Sequence, residues 1–546
     1  VSSAASDVYK RQAMVQGVAT GCADYPVIGL LLQLVVPMLA GALHAAGVAW
    51  PVHAWWDYGQ PQWALQLLSM ALLAGTLLGA GSPRQAAQRA WAFAAVYLGS
   101  TFAWLYTAMH TFGGMPAPLA ALAQWLLAGL LAIYFAFVGG LWWYVARRGE
   151  FSGALLFGLL WMMAELARGT WLTGFGWGAG GYAHVNGPLS FFAPLLGSYG
   201  VGAVASFIGM AAAQSFMRAM GRRTSAGELP SAKRGLQTSL VVLLAPLCIP
   251  AAWNQWTADA GSFSVTLLQG GIAQDEKFEQ TSGVPQALSW YQAQLLGATT
   301  DLVVAPETAV PLLLQELPAG YWDRLSTGLR SQGHAAMFGM PLGDSQQGFT
   351  NSVIGFMPGQ TQIQRYDKHH LVPFGEFIPP LFRWFTNLMH IPLGDFNRGA
   401  LGQPSFAMRG HRLAVHICYE DLFGEELATR FVDPASAPTA LVNVSNLAWF
   451  GNGLAIDQHL SIARMRALEF GLPVLRATNT GATAIIAHTG VVQAQLPYGP
   501  AGALQGQVHG RSGLTPFARW AARWGLWPLW LAGLTVLAWA ALTRRR

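Results

Sequence analysis

Three polar residues are spaced so that they can form a covalent catalyst around a thiol. Cys418 directly follows Arg412–Ile417, an apolar stretch that predicts a strand, and it begins a predicted helix. A cysteine at such a turn is held out of the sheet, and a helix N-terminus lowers its pKa towards the thiolate form. Glu307, at the end of another apolar strand, can accept a proton, and Lys368 can stabilise the oxyanion that forms on attack.

Histidines close to these residues leave a second arrangement open. His369, His370 and His416 are near in sequence, so spacing alone does not exclude a cysteine–histidine pair. Taken singly, most cysteines at strand ends are packing residues, and most Glu and Lys side chains are solvated. The chain has three cysteines, which are too few for a disulfide framework, and Cys22 and Cys248 are interpreted as packing residues of apolar segments.

The elements that must position these residues lie in the block 262–512. Its charge density is ordinary, and its pattern of alternating strands and helices indicates an α/β domain. One helix and one hairpin are predicted, at Pro285–Gly297 and Asn351–Gln364. The predicted strands are Ser264–Leu268, Asp301–Thr308, Arg412–Ile417, Ala440–Val444, Val474–Ala477 and Thr483–His488.

The rest of the chain predicts a polytopic membrane protein. Hydrophobic residues make up 53% of the 546 residues and charged residues 10%, against about 25% in typical globular domains. Each crossing of a bilayer takes roughly 20 mostly apolar residues. Seven candidate spans form a helical domain at 28–257 and an eighth lies at 520–542; they are Ile28–Trp50, Trp63–Ala80, Ala90–Ala108, Leu119–Val145, Phe151–Leu166, Phe191–Met217, Leu240–Trp253 and Trp520–Leu542.

Basic residues predict how the chain crosses the membrane. The loops after spans one and three contain no Lys or Arg, and the loop after span five has only Arg168. The basic residues after spans two, four and six are Arg84, Arg89, Arg147, Arg148, Arg218, Arg222, Arg223, Lys233 and Arg234. Because basic loops stay in the cytoplasm, both termini and the tail 543–546 are predicted there, with the block 262–512 in the periplasm. The net charge of +6 therefore reflects orientation in the bilayer, not nucleic-acid binding.

The N-terminal tail, residues 1–27, precedes the first predicted span. Its first dozen residues are polar, do not begin with Met and match nothing that follows. Whether those residues are native is left open, and no other prediction depends on them.

Several longer strings resemble a known family. The order of Glu307, Lys368 and Cys418 resembles the Glu-Lys-Cys triad of the nitrilase superfamily, and the surrounding strings resemble its membrane branch, the apolipoprotein N-acyltransferase family. The matching strings are Tyr366–Glu376, Ile417–Asp421, Val444–Asn446 with Trp449–Gly451, Arg464–Glu469, Arg476–Gly481 and, between spans five and six, Arg168–Gly169, Thr173–Trp177 and Gly181–Tyr182. The resemblance implies eight spans and a nitrilase-like αββα sandwich.

The resemblance also implies a reaction and a place for it. Cys418 would take an acyl chain from a phospholipid as a thioester and pass it to the α-amine of a diacylglyceryl-cysteine in an apolipoprotein. Glu307 would be the general base and acid and Lys368 the oxyanion stabiliser, supported by Glu376, Tyr419 and Glu420. No cofactor, metal or nucleic acid is implied. A monomer in the bacterial inner membrane is expected.

Two features near the site stand apart from the triad. Lys277-Phe278 occupies a position where many family members carry a Trp, and the Ser-Asn-Asp string common in the family ends here in Leu447. The apolar stretch Ile378–Ile391 has two readings, a packed loop with a helix or a lid that guides acyl chains. Expected lid or substrate contacts are Phe278, Phe382, Trp384 and Phe385.

Two other functions compete with acyl transfer. A membrane-bound amidase would use the same triad but discharge its acyl-enzyme to water, since the acceptor decides the outcome. A transporter or sensor would carry an inactive outer domain. The complete triad and the lack of paired broken helices in the sequence argue against the second alternative.

Overall fold

A computed structural model describes residues 26–146, 151–220, 232–248, 255–379 and 396–544. Its first part is helical and its second part contains two β-sheets followed by two more helices. The helices of the first part are α1 Pro26–Val48, α2 Trp63–Leu78, α3 Pro83–Thr101, α4 Trp104–Thr107, α5 Ala117–Val145, α6 Phe151–Thr170, α7 Ala193–Ala219 and α8 Ala232–Cys248. The N-terminal tail up to residue 25 lies outside the described residues.

The apolar helices confirm only part of the predicted spans. Among the described residues, three helices are long and apolar enough to cross a membrane, or up to five if each bent pair counts as one span. Eight spans therefore remain a prediction. The expected third span is not one straight helix, because α3 and the short helical stretch Trp104–Phe112 meet at 52°.

The last predicted span is also wrong as a single helix. Its residues divide between α13, Pro516–Trp524, and α14, Trp527–Arg544, which meet at 88°. Gly525 lies between them with φ 53°, a left-handed conformation that favours glycine. Thr515 caps α13 by accepting a hydrogen bond from the Ala518 N–H at 3.0 Å.

Two six-stranded sheets form the second part. The first sheet has the order β12-β1-β2-β3-β4-β5 and the second β11-β10-β9-β8-β7-β6. The strands are β1 Thr257–Gln269, β2 Leu302–Val304, β3 Ala335–Asp344, β4 Gly348–Phe356, β5 Gln364–Asp367, β6 Phe406–Met408, β7 His411–Ile417, β8 Ala440–Ser445, β9 Val474–Thr478, β10 Ala484–Ile486, β11 Val492–Gln495 and β12 Gly502–Gly513. Strands β1, β2 and β3 are parallel, and so are β7, β8 and β9.

Apolar side chains divide these sheets into layers. A core between the sheets includes Val265, Val304, Met337, Val415, Val442 and Leu475. A second core packs the first sheet against α9, Gly283–Gly297, and α10, Tyr321–Ser331. A third packs the second sheet against α11, Gly424–Ala428, α12, Leu454–Phe470, and α13. The four layers confirm the expected αββα sandwich.

The sandwich is joined to the helical part through polar contacts. The indole nitrogens of Trp104 and Trp177 donate to Gln458 Oε1 of α12 at 3.0 and 2.7 Å. Glu469, at the other end of α12, accepts a hydrogen bond from the Ser198 N–H of α7 at 2.6 Å. Buried polar groups cost free energy unless they are paired, so these contacts fix how the two parts sit together.

Candidate active site

The predicted catalytic residues meet where parallel strands of the two sheets end. Glu307 follows β2, Cys418 follows β7, and Asn446 follows β8. Lys368 follows β5 at the edge of the first sheet. Carboxyl ends of parallel strands collect functional residues in α/β proteins because the loops there converge.

Lys368 bridges two buried carboxylates. Its Nζ lies 2.9 Å from Glu376 Oε1 and 3.3 Å from Glu307 Oε1. Asn351 Nδ2 donates to the same two oxygens, each at 2.7 Å. Burial alone would lower the pKa of Lys368, but the charges of Glu307 and Glu376 outweigh burial and raise it. The ammonium therefore stays charged and can stabilise an oxyanion.

Cys418 is held in a strained conformation. Its φ of 51° is left-handed, a region that non-glycine residues rarely adopt and that is often found at functional sites. The side chain is partly buried. His459 Nε2 lies 3.2 Å from the Cys418 carbonyl oxygen, and Asn443 Nδ2 donates to the same oxygen at 3.4 Å. These contacts hold the turn that presents the sulfur.

The expectation that a helix N-terminus lowers the thiol pKa is wrong. Cys418 begins a five-residue 3₁₀ helix, Cys418–Leu422, and not an extended α-helix. Burial, followed by the charge of Glu307, raises the pKa of the Cys418 thiol to about 12, although Lys368 and the Asn446 N–H oppose the shift. The resting thiol is protonated, so attack requires a base beside it.

Glu307 is placed to be that base. Its Oε2 accepts a hydrogen bond from the Asn446 N–H at 2.9 Å, and Asn351 and Lys368 hold its Oε1. The carboxylate is buried, and its electrostatic interaction with Cys418 is among the largest at the thiol. The arrangement provides a proton acceptor, a thiol and a fixed cation.

The three supporting residues, Glu376, Tyr419 and Glu420, make different contacts. Glu376 belongs to the Lys368 cluster, and its Oε2 also accepts from the Val372 N–H at 2.8 Å. Tyr419 points to the helical part, where its hydroxyl donates to the Gly174 carbonyl at 2.9 Å.

Glu420 ties the lysine-bearing loop to the cysteine turn. It accepts from the N–H groups of His369, at 2.7 Å, and Ile417, at 2.6 Å, and from the Tyr366 hydroxyl at 2.8 Å. Glu420 thus positions the segments on both sides of the site without contacting the thiol itself.

The nearby histidine rings are committed to other partners. The Nδ1 atom of His369 lies 2.7 Å from the Gly399 carbonyl, and that of His370 lies 2.9 Å from Glu426 Oε1. His416 Nε2 lies 2.8 Å from Asp421 Oδ1. The geometry therefore favours Glu307 over a histidine as the base. No group of three or more metal-ligating side chains occurs in the described ranges.

Two family models match the chain. The model for the apolipoprotein N-acyltransferase N-terminal domain covers residues 46–211, and the carbon-nitrogen hydrolase model covers residues 264–516. A relative from Verminephrobacter eiseniae, named apolipoprotein N-acyltransferase, is 51% identical over 94% of this chain and 97% of its own. Relatives of the same name from Ralstonia nicotianae and Bordetella bronchiseptica are 43% and 39% identical, covering 95% and 93% of this chain and 95% and 96% of their own.

The chain belongs to the apolipoprotein N-acyltransferase family. It is therefore an acyltransferase of the nitrilase type, and its apolar helices agree with the membrane branch of that superfamily. The family match spans both the helical part and the sandwich, as the sequence strings predicted.

Sequence reasoning missed several residues of this family site. The sequence predicts Asn351 only as part of a hairpin and indicates Lys277 only as a departure from the family pattern, yet both contact Glu307. His459 was not singled out, although it contacts the Cys418 carbonyl. A single polar residue in a strand or helix carries no pattern, so only its placement beside the triad reveals it.

The four expected lid or substrate contacts have different outcomes. Phe278 is half-exposed beside the site, with Lys277 Nζ 5.9 Å from the centroid of its ring. Phe382, Trp384 and Phe385 lie outside the described residues, as does most of the stretch Ile378–Ile391.

Proposed function

We propose that this chain transfers an acyl group from a phospholipid, through a thioester on Cys418, to the α-amine of a diacylglyceryl-cysteine in apolipoproteins. One observation carries the proposal: the Cys418 turn, beside Glu307 and Lys368, is bonded through Tyr419 to Gly174 of the apolar helical part. A thiol that lies next to the apolar helical part suits substrates that reside in a bilayer. The names of the relatives support the choice of acceptor.

In the first half-reaction Glu307 takes the Sγ proton as the sulfur attacks the ester carbonyl of the phospholipid. Lys368 stabilises the tetrahedral oxyanion. When the intermediate collapses, the C–O bond breaks and the lysophospholipid alkoxide takes the proton from Glu307. Cys418 then carries the acyl chain as a thioester.

In the second half-reaction the α-amine of the acceptor attacks the thioester carbonyl. Glu307 accepts the proton that the amine loses, and Lys368 again stabilises the oxyanion. Breaking the C–S bond releases the amide product, and the proton on Glu307 returns to the Cys418 sulfur. Glu376 fixes Lys368 throughout, while Tyr419 and Glu420 hold the turn.

The proposal includes a place and an architecture. The chain acts as a monomer with eight spans in the bacterial inner membrane, with a seven-helix domain at 28–257, the catalytic domain 262–512 in the periplasm, and both termini in the cytoplasm. The apolar stretch Ile378–Ile391, with Phe382, Trp384 and Phe385, guides acyl chains towards Cys418 together with Phe278.

Intact-mass measurement of the purified full-length protein tests the reaction. After incubation with phospholipid vesicles, we expect an acyl-sized mass increment on Cys418, discharged by a diacylglyceryl-cysteine peptide. The increment should be absent in Cys418→Ala. It should be present in Cys248→Ala, which is the control, because Cys248 is an exposed cysteine of α8 and is not one of the site residues. No increment, or discharge by water as fast as by the peptide, contradicts the proposal; the latter result indicates the amidase.

A further inference from the structure

A second ammonium group enters the active site from the loop between β1 and α9. Lys277 is 2% exposed, and its Nζ donates to the Glu307 carbonyl oxygen at 3.1 Å and to Thr308 Oγ1 at 2.6 Å. It therefore contacts the turn that carries the proposed base, from a segment that supplies none of the three triad residues.

The Glu307–Thr308 turn is strained and is held by two sets of contacts. Thr308 has φ 48°, a left-handed conformation that is unfavourable for a β-branched residue. The turn packs so closely on β3 that a Cβ atom at Gly339 would lie 2.7 Å from Glu307 Cα. It also accepts the two hydrogen bonds from Lys277. Strained turns persist only when their surroundings hold them.

Lys277 also balances the charge of the site. The buried cluster contains two carboxylates, Glu307 and Glu376, and Lys368 supplies a single positive charge against them. When Lys277 is included, two ammonium groups balance the two carboxylates while the thiol is neutral. After the Cys418 proton has moved to Glu307, they balance the thiolate and Glu376, so the cluster is neutral in both states. Without Lys277 the cluster carries an excess buried negative charge, which costs free energy unless the site takes up a proton.

We propose that Lys277 is a positioning residue for acyl transfer, which fixes the Glu307–Thr308 turn and places a second positive charge beside it, so that Glu307 can take the Cys418 proton. This role rests on the proposed function of Glu307 as the base.

The surroundings of Lys277 support an electrostatic role. Burial lowers the pKa of Lys277 to about 8, and the charges of Glu307 and Cys418 oppose that change. Lys368 contacts the side-chain carboxylates of Glu307 and Glu376, whereas Lys277 contacts the backbone carbonyl of Glu307. The remaining carboxylates of the same loop, Asp275, Glu276 and Glu279, are exposed and therefore screened by solvent.

The pH dependence of Cys418 alkylation tests this role in full-length detergent-solubilised protein. Iodoacetamide labelling of Cys418, followed at the peptide level between pH 5 and 9, needs no lipid substrate. In Lys277→Met we expect labelling at pH 7 to slow about tenfold. The acidic limb, which is the part of the rate profile where labelling slows as the pH falls, should lie about one pH unit higher than in wild type. Lys277→Arg retains the charge and should keep the limb within a few tenths of a unit of wild type.

Two controls separate charge from hydrogen bonding. Thr308→Val removes the 2.6 Å partner but leaves the cation, so labelling should slow less than in Lys277→Met, with the limb unmoved. Arg324→Met removes an exposed cation of α10 and should leave both the rate and the limb unchanged.

If the acidic limb of Lys277→Met lies at the same pH as that of wild type, the proposed role of Lys277 is overturned. It is also overturned if the limb of Lys277→Arg is displaced as far as that of Lys277→Met. If Lys277→Met does not fold, Lys277→Arg and Thr308→Val are compared with wild type. A displaced acidic limb in Thr308→Val then overturns the electrostatic role.

A wild-type protein that alkylates normally but forms no thioester with phospholipid contradicts the proposed function and leaves the test of Lys277 intact.

Discussion

Asn351 keeps the two carboxylates of the site together at the scale of single residues. It is buried in β4 and donates through one nitrogen to Glu307 and Glu376, each at 2.7 Å. Lys368 contacts the same two oxygens. A neutral donor at this position adds no negative charge to the cluster, whereas a third carboxylate there would repel the other two.

Replacing Asn351 by Asp is therefore expected to slow formation of the Cys418 acyl-enzyme at pH 7 at least about tenfold, because it exchanges the shared hydrogen-bond donor of Glu307 and Glu376 for a third negative charge that repels both. Intact-mass kinetics measures this rate. Asn397→Asp is the matched control, since Asn397 is exposed and donates to the Gln347 carbonyl outside the cluster. A wild-type rate in Asn351→Asp would contradict the coupling between the carboxylates.

The sequence predicts the site only where a residue belongs to a recognisable string. Glu307, Lys368 and Cys418 each follow a strand, so strand ends and chemistry together indicate them. The thiol environment could not be predicted in this way. Its raised pKa depends on burial and on the through-space charge of Glu307, which are properties of the assembled fold.

Gly197 connects two elements that are far apart in sequence. It lies near the start of α7 with φ 71° and ψ 178°, a backbone conformation available almost only to glycine. A Cβ atom there would lie 2.5 Å from the Phe517 ring of α13. The bend in α7 thus allows the helix that follows the sandwich to pack against the helical part.

Gly197→Ala should lower the free energy of unfolding by about 2 kcal/mol or more, because backbone strain and overpacking add. Thermal unfolding of the full chain in detergent measures the change. Gly75→Ala in α2 is the control, since outside the local backbone of α2 no atom of the described residues lies within 4 Å of the added Cβ. That variant should be neutral or slightly stabilised. Equal midpoints for the two variants would contradict the role of Gly197.

Helices and strands with a regular hydrophobic pattern and well-marked ends were predicted better than apolar runs that contain a turn. Expected strands such as Arg412–Ile417 and the helix Pro285–Gly297 differ from β7 and α9 by no more than two residues at either end. The eighth predicted span failed as one helix because Trp520–Leu542 is apolar on both sides of the turn at Gly525. Hydrophobicity alone does not reveal a change of direction.

On the scale of the whole molecule, the helical part and the sandwich share the site. Tyr419 and His370, beside the triad residues Cys418 and Lys368, bond to the carbonyls of Gly174 and Thr173 at 2.9 and 2.8 Å. The segment Thr173–Trp177 therefore connects the apolar helices directly to the Cys418 turn and the loop that carries Lys368. This connection explains why family strings occur in both parts of the chain.

The predicted orientation places the sandwich in the periplasm and the turn between α2 and α3 in the cytoplasm. In a background without Cys22, Cys248 and Cys418, a cysteine introduced at Ser345 in the β3–β4 turn should react with a membrane-impermeant maleimide in intact bacterial cells. A cysteine at Gly81, in the turn between α2 and α3, should react only after the inner membrane is disrupted. Both positions are exposed in the structure, so exposure does not cause the difference. Because Arg84 and Arg89 predict that this turn lies in the cytoplasm, the opposite labelling pattern would contradict the proposed assignment of the sandwich to the periplasm.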